Sequence, residues 1–502
     1  MRTLFFPQYI TAVLACIFPL LASASGQTVS KPNILFILTD DQGYGDVARH
    51  GHPLLKTPNH DALHDQSVRF ERFYVSPSCS PTRCALMTGM HEFRSGVTHT
   101  TTPREHMDAN AVILPQLLKS AGYRTGFVGK WHLGNDGAYA AERRGFDWCS
   151  RNVGAATVHF DPVIVRNNKS QKRPGYREDL LFDEAMAFID EAKGEPFFCY
   201  LATYSPHAPV KAPDSFKAPF LDKVDATEAE FLGMVANLDY NLGRITKHLE
   251  ERGLDKNTII IWMNDNGQTH GLDVFNAEMR GCKATAWQGG SRAMSFWKWP
   301  GRWQPHAVQN LTAHLDVLPT LCDLAGAQIP GDVSRKLEGW SLRPLLESSS
   351  PVSWHDDRVL FHHVGRWPSG LAADHKYAMA AVQTGNYLLI RSEPCGKAEC
   401  EKFSSQCTTL RSVQKGGKSA TYTKKNAQFH WGVTEPGHWS LFDLNTDIQC
   451  ADDLSKKQPD IASKLAAAYD KWWDELYPTM IQNGGDRGEP EPLGAKPKAK
   501  GE

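Results

Sequence analysis

Two apolar runs in this chain end on the same kind of polar cluster. ILFILT (34–39) leads into Asp40-Asp41-Gln42-Gly43, and TIIIWM (258–263) leads into Asn264-Asp265-Asn266-Gly267. Carboxylates and amide oxygens brought together repel one another unless a hard divalent cation sits among them. The glycine after each cluster lets the backbone turn sharply, so that adjacent side chains converge. Such pairs also serve in ordinary turns and helix caps; the matching context is what favours a shared site. Basic groups follow other apolar runs: Lys130 and His132 in GKWHLG, His207 in SPHAP, and Lys283 in RGCKATAW. Set opposite the acidic pairs, they suit an anion that also touches a metal.

The stretch CSPTRCALMTG (79–89) adds a nucleophile candidate. With Ser80 as N-cap and Pro81 in the first helical position, RCALMT continues as a helix. Cys79 then sits just ahead of a helix N-terminus, where free N–H groups favour negative charge, with Arg83 about one turn on. A plain thiolate is a poor match for hard-oxygen ligands. Cys79 therefore reads as a disulfide half, a metal ligand, a thiol nucleophile, or a residue converted into another group.

The elements that must position these groups alternate along the chain. NILFIL (33–38), RTGFVG (124–129), PFFCYLAT (196–203) and NTIIIWM (257–263) have the apolar density of buried strands. Residues 112–122, 179–193, 228–253 and 314–326 have helical periodicity. This predicts an α/β fold, a large, mostly parallel sheet sandwiched by helices, with ligands gathered at the carboxyl ends of the strands. SSSPVSW reads as a linker. It divides a catalytic domain over 31–350 from a smaller C-terminal α+β subdomain over 351–482, and residues 483–502 lack the apolar content to fold. No HExxH or CxxC zinc pattern, Walker loop, dinucleotide glycine loop, G-x-S-x-G or internal repeat is present.

A formal net charge of −1 over 502 residues gives no reason to expect a nucleic-acid partner. Residues 1–24 combine Arg2, an apolar run and Ala22-Ser23-Ala24, the pattern of an export signal, which predicts a secreted or periplasmic protein with no later membrane span. Alternatively, Val13-Leu14-Ala15-Cys16 reads as a lipoprotein box that would leave a lipid on Cys16. Ten cysteines remain after the signal. An oxidising compartment favours their pairing, and Cys395, Cys400 and Cys407 crowd one segment.

The motifs taken together resemble the type I sulfatases, the formylglycine-dependent, arylsulfatase-like branch of the alkaline phosphatase superfamily. Cys79-Ser80-Pro81-Thr82-Arg83, followed by Met87-Thr88-Gly89, is similar to that family's signature. The Asp40-Asp41 strand end, GKWHLG, SPHAP, NDNG and RGCK follow in the family's order, and the resemblance spans about residues 32–480. Thr82 is an accepted variant, whereas Cys282 and Gln288 depart from the common pattern and put any transfer of substrate preference in doubt.

The resemblance implies that a maturation enzyme converts Cys79 to formylglycine. Asp40, Asp41, Asp265, Asn266 and the converted Cys79 would then bind calcium, ahead of magnesium, while Arg83, Lys130, His132, His207 and Lys283 would surround a sulfate. His270 lies near enough in sequence to touch substrate, and Trp131, Trp287, Trp297 and Trp299 offer stacking faces for a sugar, although buried core is the plainer reading for most of them. The implied activity is sulfate ester hydrolysis, of a sulfated carbohydrate in particular. The alternatives are a phosphate or phosphonate ester hydrolase on the same scaffold, or a non-catalytic sulfoglycan-binding relative.

Overall fold

A computed structural model describes residues 1, 3, 4, 31–154, 157–415 and 426–488. The expected export signal with Cys16, and residues 489–502 of the expected tail, lie outside the described residues.

Five strands make the middle of the main sheet: β1 (Asn33–Asp40), β2 (Arg124–Gly129), β3 (Trp148–Asn152), β4 (Phe197–Pro206) and β5 (Thr258–Asn264). They run parallel in the order β5-β1-β4-β2-β3. Ser295–Lys298 and Val68–Phe70 extend one side in antiparallel pairings, Val163–Arg166 and Lys169–Lys172 extend the other, and His306–Val308 completes ten strands.

The main helices are α1 (Cys79–Thr88), α2 (Arg177–Glu191), α3 (Ala226–Glu251), α4 (Val317–Ala325) and α5 (Pro459–Gln482). Successive strand side chains point to opposite faces, so an unbroken apolar strand must be covered twice. Ile34, Phe36, Leu38, Phe198 and Ile261 pack in one layer with Leu86 of α1 and Leu321 of α4. Leu35, Ile37, Leu201 and Trp262 pack in the other with Phe188 of α2 and Leu242 of α3. The expected α/β sandwich is therefore present, with a parallel centre flanked by antiparallel pairings and one further parallel pair at an edge, between His306–Val308 and Val68–Phe70.

The smaller part is an antiparallel sheet of Leu360–His363, Ala380–Gln383, Tyr387–Arg391 and Ser440–Asp443. Leu465, Tyr469, Trp472, Leu476 and Met480 recur at helical spacing along α5 and bury one stripe with this sheet and Phe93. Residues 483–488, expected as tail, are tied down: Asn483 Nδ2 donates to Arg94 O at 2.6 Å and Arg487 Nε to Pro103 O at 3.0 Å. Cys79, Cys84 and the eight cysteines after them are free and buried, so the pairing expected of an exported chain is not found among the described residues. No helix among the described residues is long and apolar enough to cross a membrane.

Candidate active site

The polar groups singled out from sequence stand where the parallel strands stop. Asp40 ends β1, Asn264 ends β5, Lys130 follows Gly129 at the end of β2, and His207 follows Pro206 at the end of β4. The sharp turn after β1 falls on Asp41 itself, at φ 65°, and not on the glycine that follows. Gly43 and Gly267 serve close approach instead: a Cβ on either would lie 1.8 Å from Gln268 Oε1 or Gly289 O respectively. α1 likewise begins two residues earlier than its Ser80-Pro81 pattern suggests, with Ser78 in the N-cap position and Cys79 as first helical residue. Pro81 still falls in the first turn, where a missing N–H breaks no helical bond.

Acid and base then pair across these ends. Lys130 Nζ lies 2.6 Å from Asp40 Oδ2, and Lys283 Nζ lies 2.5 Å from Asp41 Oδ1. Asn266 Nδ2 donates to Asp41 Oδ1 at 2.8 Å, and His207 Nε2 is 3.7 Å from Asp41 Oδ2. Arg83, completely buried, donates from Nη2 to Asp265 Oδ2 at 2.7 Å and from Nη1 to Lys130 O at 2.7 Å. His132 Nε2 faces Thr100 O at 3.0 Å and Glu105 Oε2 at 3.3 Å.

The electrostatics follow from this packing. Burial alone would raise the Asp40 carboxyl, but Lys130, His207, Arg83 and Lys283 hold it below the usual carboxylate range. Asp41 is also held low: burial opposes this, while Lys283 and His207 outweigh it. Asp265 goes the other way, pushed up to about 8 by burial and the Asp40 charge despite Arg83. Burial would raise the Cys79 thiol, yet Lys130, Lys283 and His132 pull it well below its ordinary value. Burial lowers His207, whereas His132 is raised because the Cys79 charge outweighs its burial.

Cys79, Lys130, His132, His207 and Lys283 open onto one cavity of about 400 Å³, with Thr100, Trp131, Asn135, Tyr204 and Arg366. Arg83 is not in that lining; its guanidinium works behind Cys79, on Asp265 and the Lys130 carbonyl. His270 is not brought there either, and packs against Phe231 at 6.0 Å between ring centroids. Of the tryptophans, Trp131 reaches the cavity wall, while Trp287, Trp297 and Trp299 are buried core. Cys84 faces the core with Leu86 and Met87. Arg366 escaped sequence reasoning, because it comes from the C-terminal subdomain and belongs to none of the strand-end motifs.

The acidic residues suit a hard cation. Asp40 Oδ1, Asp41 Oδ2 and Asn266 Oδ1 are buried without a hydrogen-bond partner. Ligand atoms of Asp40, Cys79 and Asp265 lie within 4.8 Å of one another, as do those of Asp40, Asp41 and His207. Buried oxygens lacking donors, together with a carboxyl driven up by its neighbours, are what a divalent ion would satisfy.

Known proteins carry the same arrangement of chain. The sulfatase family profile matches residues 32–327. The sulfatase YdeN of Escherichia coli is 28% identical, with 91% of this chain and 88% of that protein covered. Rat N-acetylgalactosamine-6-sulfatase is 31% identical, covering 71% and 72% respectively. The solved structure of Ps i-CgsB in complex with k-i-k-neocarrahexaose superposes with a TM-score of 0.73 at 25% identity, covering 92% of this chain and 95% of that one. The chain belongs to the sulfatase family and is a sulfuric ester hydrolase.

Proposed function

We propose that this sulfatase hydrolyses the sulfate ester of a sulfated carbohydrate, with residue 79 converted to formylglycine as its nucleophile. The observation that carries this reading is the setting of Cys79, buried at the first turn of α1 between the cations Lys130 and Lys283 and the acids Asp40 and Asp265. The names of the relatives favour a sugar: one acts on an N-acetylgalactosamine 6-sulfate and another binds an oligosaccharide. Export through residues 1–24 would expose the chain to a maturation enzyme before it folds around Cys79.

Asp40, Asp41, Asp265 and Asn266 would hold a calcium ion, which when bound would supply positive charge to stabilise the anions formed in the reaction. Hydrated formylglycine offers two hydroxyls on one carbon, one to attack sulfur and one whose ionisation lets sulfate leave, a release that cysteine or serine cannot provide. Lys130 and Lys283 balance the charge of the incoming sulfate. Asp265, held by Arg83, takes the proton of the attacking hydroxyl. His207 Nε2 or Lys283 Nζ protonates the departing alcohol oxygen, and His132 takes the proton of the second hydroxyl.

A peptide mass spectrum across residue 79 of active, exported protein tests this. The expected mass is that of the aldehyde or its hydrate; an unmodified thiol in active enzyme, or a Cys79–Cys84 disulfide, contradicts the reading. Nitrophenyl sulfate should turn over faster than nitrophenyl phosphate, and the reverse order would indicate the phosphoester alternative.

A further inference from the structure

Away from the active site, four side chains from separate segments of the C-terminal subdomain point their donor atoms at one another. His375 ends the short 3-10 turn Ala373–His375, Cys400 lies in Ala398–Lys402, Cys407 lies in the first turn of Ser405–Gln414, and Cys395 precedes both. Cys400 Sγ is 3.3 Å from His375 Nε2 and 3.6 Å from Cys407 Sγ. Cys407 Sγ is 3.6 Å from His375 Nε2 and 3.8 Å from Cys395 Sγ. All four are buried, and their ligand atoms lie within 4.8 Å of one another.

We infer that His375, Cys395, Cys400 and Cys407 form a structural zinc site. A disulfide would need a sulfur separation of about 2.05 Å, well below either one here. A zinc tetrahedron with bonds of about 2.3 Å to sulfur and 2.0–2.1 Å to nitrogen has edges of roughly 3.5–3.8 Å, which the four distances bracket. The imidazole is set for this role: Nδ1 lies 2.9 Å from Leu371 O, which fixes Nδ1 as donor and leaves the Nε2 lone pair facing the sulfurs.

The chemistry of the donors selects the ion. Three thiolates and an imidazole are a soft set that takes zinc, whereas the all-oxygen cluster at Asp40 takes a hard cation, so the two centres sort their metals. Four protein ligands leave no open position, which marks a structural site rather than a catalytic one. Binding displaces the three thiol protons and leaves the loaded site with one net negative charge. Arg411 stands beside it, donating to the carbonyls of Cys395 at 2.9 Å and Lys397 at 3.1 Å. Leu410, Val413, Trp431, Val364 and Met379 pack with the three cysteines in one apolar cluster.

The site also has a task. After the strand Tyr387–Arg391 the chain holds only the 3-10 turn Ala398–Lys402 and the ten-residue helix Ser405–Gln414 before residue 415, and a clip to His375 ties this excursion back to the segment that precedes the strands Ala380–Gln383 and Tyr387–Arg391. Its apolar cluster includes Cys282 and Ala284, the neighbours of Lys283, so the clip braces the loop that carries that lysine to Asp41.

Elemental analysis of the full chain, purified without chelator, should find about one zinc per molecule beyond any calcium. Cys400→Ala should lose it, and Cys79→Ala should keep it. Should Cys400→Ala fail to fold, cobalt exchanged into the native protein should show the thiolate charge-transfer and intense d–d bands of a tetrahedral sulfur-rich site. Zinc-free native protein whose three thiols alkylate without denaturation would overturn the proposal, and so would a disulfide between any two of them in a non-reducing peptide map.

Discussion

Arg83 and Asp265 meet at the base of the site, the guanidinium Nη2 and Nε lying 2.7 and 3.2 Å from one carboxylate oxygen, both side chains closed to solvent. One comes from α1 and the other from the loop after β5, so the pair fixes the helix that begins at Cys79 against the strand end that carries the acid. The remaining nitrogen, Nη1, donates to the Lys130 carbonyl and brings the end of β2 into the same frame. Arg83 thus acts through Asp265 and Lys130 and does not line the cavity.

Arg83→Lys keeps the charge and loses the planar fork. It should lower kcat/KM by about 100-fold, near 2.7 kcal/mol of transition-state stabilisation, with near-native circular dichroism. Arg83→Ala should instead cost roughly 3–5 kcal/mol of stability, because it leaves the Asp265 carboxyl buried without its partner. Unchanged kcat in the lysine variant would mean that charge alone, and not alignment, is what the position supplies.

Asp265 also sets a pH dependence. Burial and the Asp40 charge raise its carboxyl to about 8 in the metal-free protein, against about 3.9 unfolded. A carboxyl raised on folding contributes stability that is complete below the unfolded value and lost as pH rises through about 8. Asp40 and Asp41, held low, work in the opposite sense and lose their contribution as pH falls below about 4. On the proposed reading a calcium ion would compete with the Asp265 proton, so its binding should release a proton at neutral pH. The gain in Tm on adding calcium should be larger near pH 9 than near pH 6 by differential scanning calorimetry. Equal gains would show that Asp265 does not titrate against the ion.

The strand ends were legible in the sequence because their signal is local: an apolar run of Ile and Phe stops at a polar cluster, and parallel strands must deposit such clusters on one edge. What was not legible depends on residues far apart or on backbone detail. The turn falls on Asp41 while Gly43 serves close approach, and no pattern in DDQG distinguishes the two. His270 is near Asp265 in sequence, yet the loop carries it to Phe231. The crowding of Cys395, Cys400 and Cys407 was visible and pointed toward disulfides; the fourth member, His375, lies twenty residues before Cys395 and joins only through the fold.

Arg366 is the cation that the cavity receives from the C-terminal subdomain, and its Nε is buried without a hydrogen-bond partner. A sulfated or acidic oligosaccharide long enough to pass the sulfate pocket would meet it. Arg366→Gln should raise KM for such a substrate by about tenfold, or 1.4 kcal/mol, with kcat held. The KM for nitrophenyl sulfate should hardly move. A matching rise for the small substrate would place Arg366 on the scissile sulfate itself.

The two cysteines of α1 should separate cleanly. Cys84 is in the core, its thiol pushed up by burial, while Cys79 faces the cavity with its thiol pulled down by Lys130, Lys283 and His132 against burial. Cys84→Ala should cost on the order of 1 kcal/mol in chemical unfolding and keep activity within a few fold. Cys79→Ala should abolish turnover of nitrophenyl sulfate with the fold intact. Loss of activity in a well-folded Cys84→Ala protein would give that residue a chemical part.

Gly129, the last residue of β2 and the one before Lys130, has φ 104°, and a Cβ on it would lie 1.9 Å from Ala202 O. That carbonyl is the one that accepts from the Lys130 N–H at 2.8 Å, so a methyl group there both strains the backbone and pushes β2 away from β4. Gly129→Ala should therefore cost roughly 2–4 kcal/mol, from a left-handed conformation worth about 1–3 and a weakened hydrogen bond worth about 1. It should also lower kcat, because Lys130 Nζ loses its 2.6 Å approach to Asp40. Gly122 is the control: its φ is 84°, and nothing lies within 4 Å of an added Cβ. Gly122→Ala should lose only about 1 kcal/mol and keep full activity. If denaturant titrations gave the two variants the same loss, backbone φ would account for both, and the contact with Ala202 would not be what holds Lys130 in place.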